Sequence, residues 1–201
     1  KNAEALFLSE VLCQTIKEPE PNLPLFAFIA RSIQVLNIME EGKANFHLCF
    51  LLQLCSFLGF SPNMETYRTG YSFDMLNGIF SPSRPIHTYT LDAREAEVFA
   101  RLTRMDFNNL RHFKFNRGER NAILDRILTY YRLHQPDISE LRSPEILRAI
   151  FLNFKSEFDS RRGYKKRNPN PDSFFVFIRL SFYFAVASLA AFLAIPRRWI
   201  S

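Results

Sequence analysis

A dense pattern of hydrophobic positions lies in residues 44–58, where apolar side chains recur at steps of three and four. This spacing is the period of an α-helix, so the segment is predicted to be helical. Apolar residues occupy nearly the whole circumference, which indicates a helix buried on all sides. Gly59 suits a left-handed cap and Pro62 forbids further helix, so we expect the helix to end near Leu58. The apolar positions are Phe46, Leu48, Phe50, Leu51, Leu52, Leu54, Cys55, Phe57 and Leu58.

Further helical periods on either side of this segment predict an all-α domain of about six helices. Two of these helices open with a capping box, in which the first side chain and a Glu three residues later bond each other's backbone amides. The pairs are Asp92 with Glu95 and Asn116 with Glu119. Glycine and proline punctuate residues 61–90, so we expect an irregular insertion of loops with one small hairpin. The other helices are predicted at residues 2–16, 23–39, 92–105, 117–134 and 143–154.

The chain beyond this body has a different composition. Residues 155–172 form a basic linker that contains prolines, and residues 173–201 form an apolar tail. Within the tail, residues 174–195 hold one charge and match the ~20 residues that cross a bilayer as a helix. We interpret this apolar helix either as a membrane anchor or as a non-native extension. The predicted domain division is therefore a helical domain at 1–154, a linker and a tail.

The charges are divided unevenly along the chain, which changes the meaning of its basic isoelectric point of about 9.4. Residues 1–152 carry 17 basic and 17 acidic side chains, whereas residues 153–201 carry 9 and 3. The net charge of +6 thus belongs to the linker and the tail together, and total charge does not mark the predicted domain as a nucleic-acid binder. A hydrophobic content of 47% with 22 Phe excludes a disordered chain. Three cysteines without a Cys-x-x-Cys pair favour buried thiols and a reducing, cytoplasmic environment.

Three segments in a fixed order resemble one protein family. They are residues 44–63, residues 71–80, and residues 117–121 leading into residues 128–134. Together they resemble the C-terminal helical domain of the RecO family of DNA repair proteins, most closely its Bacteroidetes branch. The resemblance covers roughly residues 2–152, and the apolar tail has no counterpart in it.

The resemblance implies a non-catalytic mediator of DNA repair and recombination in the RecF pathway. Members of this family carry an N-terminal OB-fold that binds DNA. With RecR they help to displace single-strand-binding protein, whose acidic tail ends in Phe, so that RecA loads. Nothing before Asn22 predicts five short strands. We therefore expect a fragment without the OB-fold, whose partners are RecR, the tail of single-strand-binding protein, and DNA. The alternative is a membrane-tethered helical adaptor, anchored through residues 174–195.

No cofactor, metal ion or catalytic residue is predicted. Some relatives resemble zinc proteins through four cysteines in a loop, but the corresponding residues 79–87 contain no cysteine and one histidine, whereas a tetrahedral zinc site needs four ligands. Cys49 and Cys55 lie ~240° apart around a helix and do not face one ligand. His47 lies on the buried helix and is interpreted as a hydrogen-bonded core histidine rather than a general base.

The candidate site is a cluster of basic residues at 101–120, from the end of the predicted helix at 92–105 to the start of the predicted helix at 117–134. Phe107, Phe113 and Phe115 lie between these charges, and the N-terminus of the second helix presents backbone amides to an anion. Such a cluster suits nucleic-acid phosphates or an acidic peptide ending in a hydrophobic residue. It equally suits a solvated basic face that binds nothing. The site residues are Arg101, Arg104, Arg111, Lys114, Arg117 and Arg120.

Overall fold

The computed structural model describes residues 2–16, 22–136, 138 and 141. Within them the chain forms five α-helices and one small sheet. The predicted helix at 143–154, the linker at 155–172 and the apolar tail at 173–201 lie outside the described residues. The elements are α1 (Asn2–Thr15), α2 (Leu23–Ile38), α3 (Phe46–Phe57), β1 (Ser72–Asp74), β2 (Ile79–Ser81), β3 (Thr90–Leu91), α4 (Ala93–Leu102) and α5 (Arg117–His134).

Helix α3 is the centre of the core, as its apolar pattern predicts. All its residues from Phe46 to Leu52 are buried. The helix ends at Phe57, after which Gly59 adopts a φ of 81° and the amide of Phe60 donates to the carbonyl of Cys55 at 3.1 Å. This bond spans the left-handed residue in the manner of a Schellman cap, so the predicted end of the helix is confirmed.

Helix α5 packs against α3 and is tied to it by two buried tyrosines. The hydroxyl of Tyr131 donates to the carbonyl of Leu51 at 2.6 Å, and that of Tyr130 donates to the carbonyl of Phe60 at 2.8 Å. A buried tyrosine needs a partner for its hydroxyl, and each bond contributes ~1 kcal/mol. These contacts fix the position of α5, and therefore of its first turn, relative to α3.

The expected all-α fold with a hairpin insertion is confirmed in part: the described residues are mostly helical, but residues 72–91 contribute a three-stranded antiparallel sheet in the order β2-β1-β3. Phe73 in the central strand pairs with Phe80 on one side and Leu91 on the other. Its ring lies 5.0 Å from that of Phe99 in α4, which covers the sheet. The predicted hairpin is present as β1 and β2, and the third strand adds to it.

Both predicted capping boxes are present and begin α4 and α5. The side chain of Asp92 accepts from the amide of Glu95, and that of Asn116 accepts from the amide of Glu119. Helix α5 has the predicted bounds, whereas α4 ends at Leu102, three residues before the expected Met105.

Across the described part of the chain, none of the helices combines the length and apolar character that crossing a bilayer requires.

Candidate anion-binding cleft

A cleft of about 650 Å³ lies between the turn that precedes α3 and the segment that leads into α5. One wall is the turn 41–45, which includes a short 3₁₀ helix at Lys43–Asn45. The other wall is the segment 111–116 together with the first turn of α5. The cleft therefore joins two parts of the chain that are more than 60 residues apart. The side chains that give it its chemistry are Glu41, Arg111, Phe113, Lys114, Phe115 and Arg120.

Three of the six predicted site residues line this cleft, namely Arg111, Lys114 and Arg120. Arg117 does not line it, although its positive charge acts on Arg120 from the same helical turn. The structure does not bring the other two predicted residues into the cleft. Arg101 lies exposed in the last turn of α4, and Arg104 lies exposed in the turn that follows.

Arg120 is the most buried cation of the cleft. Its Nη1 donates a hydrogen bond to the carbonyl of Phe115, which holds the guanidinium against the segment before α5. Partial burial lowers the pKa of Arg120, and the charge of Arg117 acts in the same direction, whereas Glu119 opposes it. Within the described residues, no carboxylate forms an ion pair with Arg111, Lys114 or Arg120. The three cations of the cleft thus have no ion-paired carboxylate in this part of the protein, although the charge of Glu119 acts on Arg120 and Glu41 lies in the lining.

The N-terminus of α5 contributes less to an anion site than the sequence predicts. The carboxylate of Glu119 accepts from the amide of Asn116 at 2.7 Å, and Asn116 Oδ1 accepts from the amide of Glu119 at 3.0 Å. The protein's own carboxylate thus lies at the positive end of the helix dipole. The attraction of this cleft for an anion must come mainly from its side chains.

His47 lies in the core behind the cleft, as its place on the buried helix predicts. It is 2% exposed, and its Nδ1 lies 3.9 Å from Oε1 of the buried Glu4. Burial lowers the pKa of His47 to about 3, and the positive charge of Arg120 acts in the same direction. The imidazole is consequently neutral at physiological pH and adds no charge to the cleft.

The turn 41–45 was missed by sequence reasoning, although it forms one wall of the cleft. Glu41 adds a carboxylate beside the cations, Gly42 adopts a left-handed φ of 75°, and Asn45 is buried. A glycine after two glutamates indicates only the end of α2. No local signal in the sequence shows that this turn meets residues more than 60 positions later.

The loop region at residues 72–87, in which no cysteine is present, is held by aromatic and polar contacts. The rings of Phe73 and Phe80 lie 4.7 Å apart, and Nε2 of His87 lies 3.2 Å from Oδ1 of Asp74. Over the part of the chain that the structure describes, no three His, Cys, Asp or Glu side chains come together in a way that would hold a metal ion.

Comparison with known proteins identifies the family of the chain. The model of the family described as "Recombination protein O C terminal" matches residues 1–143. Relatives named DNA repair protein RecO include those of Bacteroides fragilis, Phocaeicola vulgatus and Azobacteroides pseudotrichonymphae, at 43%, 41% and 40% identity. Each alignment covers 75% of this chain and 63% of the relative, so the chain spans less than two thirds of the relatives' length. No solved structure matches it significantly.

The family match includes α1 to α5, the small sheet and both walls of the cleft. It also includes the three segments on which the resemblance rested, namely residues 44–63, residues 71–80, and residues 117–121 with 128–134. The match ends before the linker and the apolar tail. The chain belongs to the RecO family of recombination and repair proteins, in which it corresponds to the C-terminal part.

Proposed function

We propose that this chain is the helical part of a non-catalytic DNA repair and recombination mediator, and that the cleft docks an acidic peptide. The single observation that carries the docking proposal is the set of three cleft cations without an ion pair to any described carboxylate. The name of the relatives, DNA repair protein RecO, supports the repair role. The membrane-tethered adaptor is not favoured, because the family match lies in the body of the chain.

The partly buried guanidinium of Arg120 favours a peptide with a carboxylate that enters the cleft. Desolvation disfavours the charged form of this group, and an anion beside it offsets that cost. A charge-assisted hydrogen bond to such a group contributes ~1.5–3 kcal/mol, a factor of ~10–100 in Kd. The half-buried rings of Phe113 and Phe115, 6.1 Å apart, supply an apolar wall for a hydrophobic side chain. An acidic peptide that ends in Phe matches both features.

The same cations suit DNA phosphates at the mouth of the cleft. Arg111 and Lys114 are exposed and lie on one short segment, so they would reach a backbone that passes over the surface. Contacts with single-stranded phosphates would weaken with salt at a slope of ~0.7 per phosphate. We assign DNA an auxiliary contact here and the acidic tail of single-strand-binding protein the cleft itself. Docking of RecR and assistance to RecA loading are part of the same proposal.

The test is peptide binding by the 201-residue chain, measured as fluorescence anisotropy. The probe is a labelled peptide of aspartates that ends in phenylalanine, with the C-terminal amide of the same peptide and a labelled oligothymidylate as comparisons. Arg120→Gln removes the buried cation, and we expect Kd for the peptide to rise ~10–100-fold. The matched control is Arg101→Gln, which removes an equally charged residue that does not line the cleft.

Three outcomes are informative. If Arg120→Gln weakens peptide binding and Arg101→Gln does not, the result supports the cleft as the docking site. Equal losses in the two variants would mean that a diffuse basic face binds the peptide, which contradicts the docking proposal. Tight binding of the oligothymidylate together with no binding of the peptide would replace the acidic tail by DNA as the ligand of these cations.

A further inference from the structure

One side chain connects the two walls of the cleft. The side-chain nitrogen Nδ2 of Asn45 donates to the carbonyl of Leu110 at 3.2 Å and to the carbonyl of Phe113 at 2.7 Å. The residue is 4% exposed, so water does not compete effectively for these bonds. A single amide thus holds two points of a segment that lies 65 and 68 residues later in the chain.

The two carbonyls that Asn45 holds are next to the cations of the cleft. The carbonyl of Leu110 belongs to the peptide unit that joins it to Arg111, and that of Phe113 belongs to the unit that joins it to Lys114. Fixing these two units fixes where the side chains of Arg111 and Lys114 begin. The regular structure of the segment is short-range: a 3₁₀ turn at Leu110–His112 is followed by residues without regular structure.

The oxygen of the same amide shows that the nitrogen is the functional end. Among the described residues, Asn45 Oδ1 is buried without a hydrogen-bond partner. A buried acceptor without a partner costs stability, and an apolar residue of similar shape would avoid that cost. The stabilising contacts of this side chain are thus made by its NH2 group, which bonds two carbonyls, and not by its oxygen.

Gly42 packs on the same segment from the other end of the turn. A Cβ at this residue would lie 2.3 Å from Cδ1 of Leu110 and 3.1 Å from the backbone N and Cα of Arg111. The turn and the segment are therefore in direct contact, and Asn45 acts within a closely fitted interface. The backbone N–H of Asn45 donates to the carbonyl of Gly42 at 2.9 Å, and this bond closes the turn.

We propose that Asn45 is a positioning residue, which holds Arg111 and Lys114 at the spacing from Arg120 that the ligand requires. The inference rests on the proposed function for its ligand, but its geometric part does not. The role that we assign to Asn45 lies in its bonds to the segment that carries these cations. Its contribution is to arrange the cations before binding, which spares the complex the entropy of ordering them.

The test uses Asn45→Leu in the full chain, because leucine has a similar shape and removes both the two donors and the partnerless oxygen. Two measurements are made on it. Hydrogen exchange of the amides in residues 110–116 reports the order of the segment, and we expect it to become faster. Anisotropy with the peptide reports affinity, and we expect Kd to rise about tenfold with an unchanged salt slope, since no charge is lost.

The matched control is Thr90→Val, which removes the hydrogen bond that Oγ1 of the buried Thr90 donates to the carbonyl of His87 in the sheet region but touches neither wall of the cleft. It should lower the unfolding midpoint and leave the affinity unchanged. If a general loss of stability were the whole effect of Asn45→Leu, the two variants would have the same Kd at a temperature well below both midpoints.

The possible failures are separable. If the wild type binds the peptide and Arg120→Gln weakens it, but Asn45→Leu binds like the wild type, the positioning role is wrong and the proposed function stands. If the wild type does not bind the peptide, the proposed function fails, and hydrogen exchange alone decides the positioning role. Unchanged exchange in residues 110–116 of Asn45→Leu would overturn it in either case.

Discussion

The tight contact at Gly42 leads to a quantitative prediction about stability. Gly42→Ala places a methyl group where the nearest atoms are Cδ1 of Leu110 at 2.3 Å and the backbone of Arg111 at 3.1 Å. A leucine methyl can move, but the backbone of a segment held by Asn45 cannot move without loss of those hydrogen bonds. The φ of 75° adds a separate cost, because a residue with a Cβ is strained there.

The expected loss is the sum of these two effects. The left-handed backbone costs ~1–2 kcal/mol for a residue other than glycine, and forcing an extra methyl into a filled space costs ~1–3 kcal/mol. We therefore expect Gly42→Ala to lower the free energy of unfolding by ~2–5 kcal/mol. Gly59→Ala is the matched control, since Gly59 has a similar φ of 81° but nothing within 4 Å of an added Cβ. It should lose only the backbone contribution of ~1–2 kcal/mol.

The assay is urea denaturation of the wild type and both variants, followed by circular dichroism at 25 °C. The decisive quantity is the difference between the two variants, because the backbone contribution cancels in it. A difference below ~0.5 kcal/mol would refute the reasoning, since it would mean that the turn and the segment 110–113 are not in contact or separate freely. A larger loss of unfolding free energy in Gly42→Ala than in Gly59→Ala, with an unchanged m-value, would agree with the reasoning.

Two further predictions concern titratable groups in the core. Burial raises the pKa of the thiols of Cys49 and Cys55 to about 12, with a smaller contribution from Asp106 at Cys49, whereas Cys13 is exposed. Iodoacetamide at pH 8 should therefore modify Cys13 alone in the native chain and all three cysteines in urea, which mass spectrometry would detect. Rapid labelling of Cys55 in the native chain would contradict its burial. Burial, assisted by Arg120, lowers the pKa of His47 from 6.5 to about 3, so the unfolded chain binds the extra proton between these values. The contribution of this group to the free energy of unfolding is complete above pH 6.5 and falls as the pH drops towards 3. His47→Gln should therefore reduce the dependence of the unfolding free energy on pH between these values. An equal slope in the wild type and the variant would contradict this expectation.

Local signals in the sequence were sufficient for the five helices that the structure describes. The bounds of α5 follow from the capping box of Asn116 and Glu119 and from an unbroken period, both of which act within a few residues. The end of α3 follows from Gly59, whose left-handed φ lets Phe60 bond back to Cys55. Such features need no knowledge of the rest of the chain.

The sheet could not be predicted in the same way. Strands of two or three residues are too short for an alternating pattern, and all three residues of β1 are buried. What makes them strands is the pairing of Phe73 with Phe80 and Leu91, together with the covering helix α4. The third strand joins after a loop of eight residues, 82–89, whose prolines indicate a loop but not which strands pair.

The candidate site was predicted in part. Clustering of charge along the chain indicated Arg111, Lys114 and Arg120, but the same criterion also selected Arg101, Arg104 and Arg117, which do not line the cleft. Proximity in sequence does not show which side of a turn a side chain occupies. Whether the cleft binds an acidic peptide or DNA stays a prediction.

By itself the sequence determined the helices, their caps, the buried position of α3 and the family, because each depends on neighbouring residues or on a pattern that the chain carries locally. Only the tertiary structure decided the sheet and the cleft. Asn45 reaches the carbonyls of Leu110 and Phe113 because α3 and α5 pack together, held by the bond from Tyr131 to Leu51. Contacts between residues so distant in the chain depend on the packing of the whole core, which no local pattern encodes.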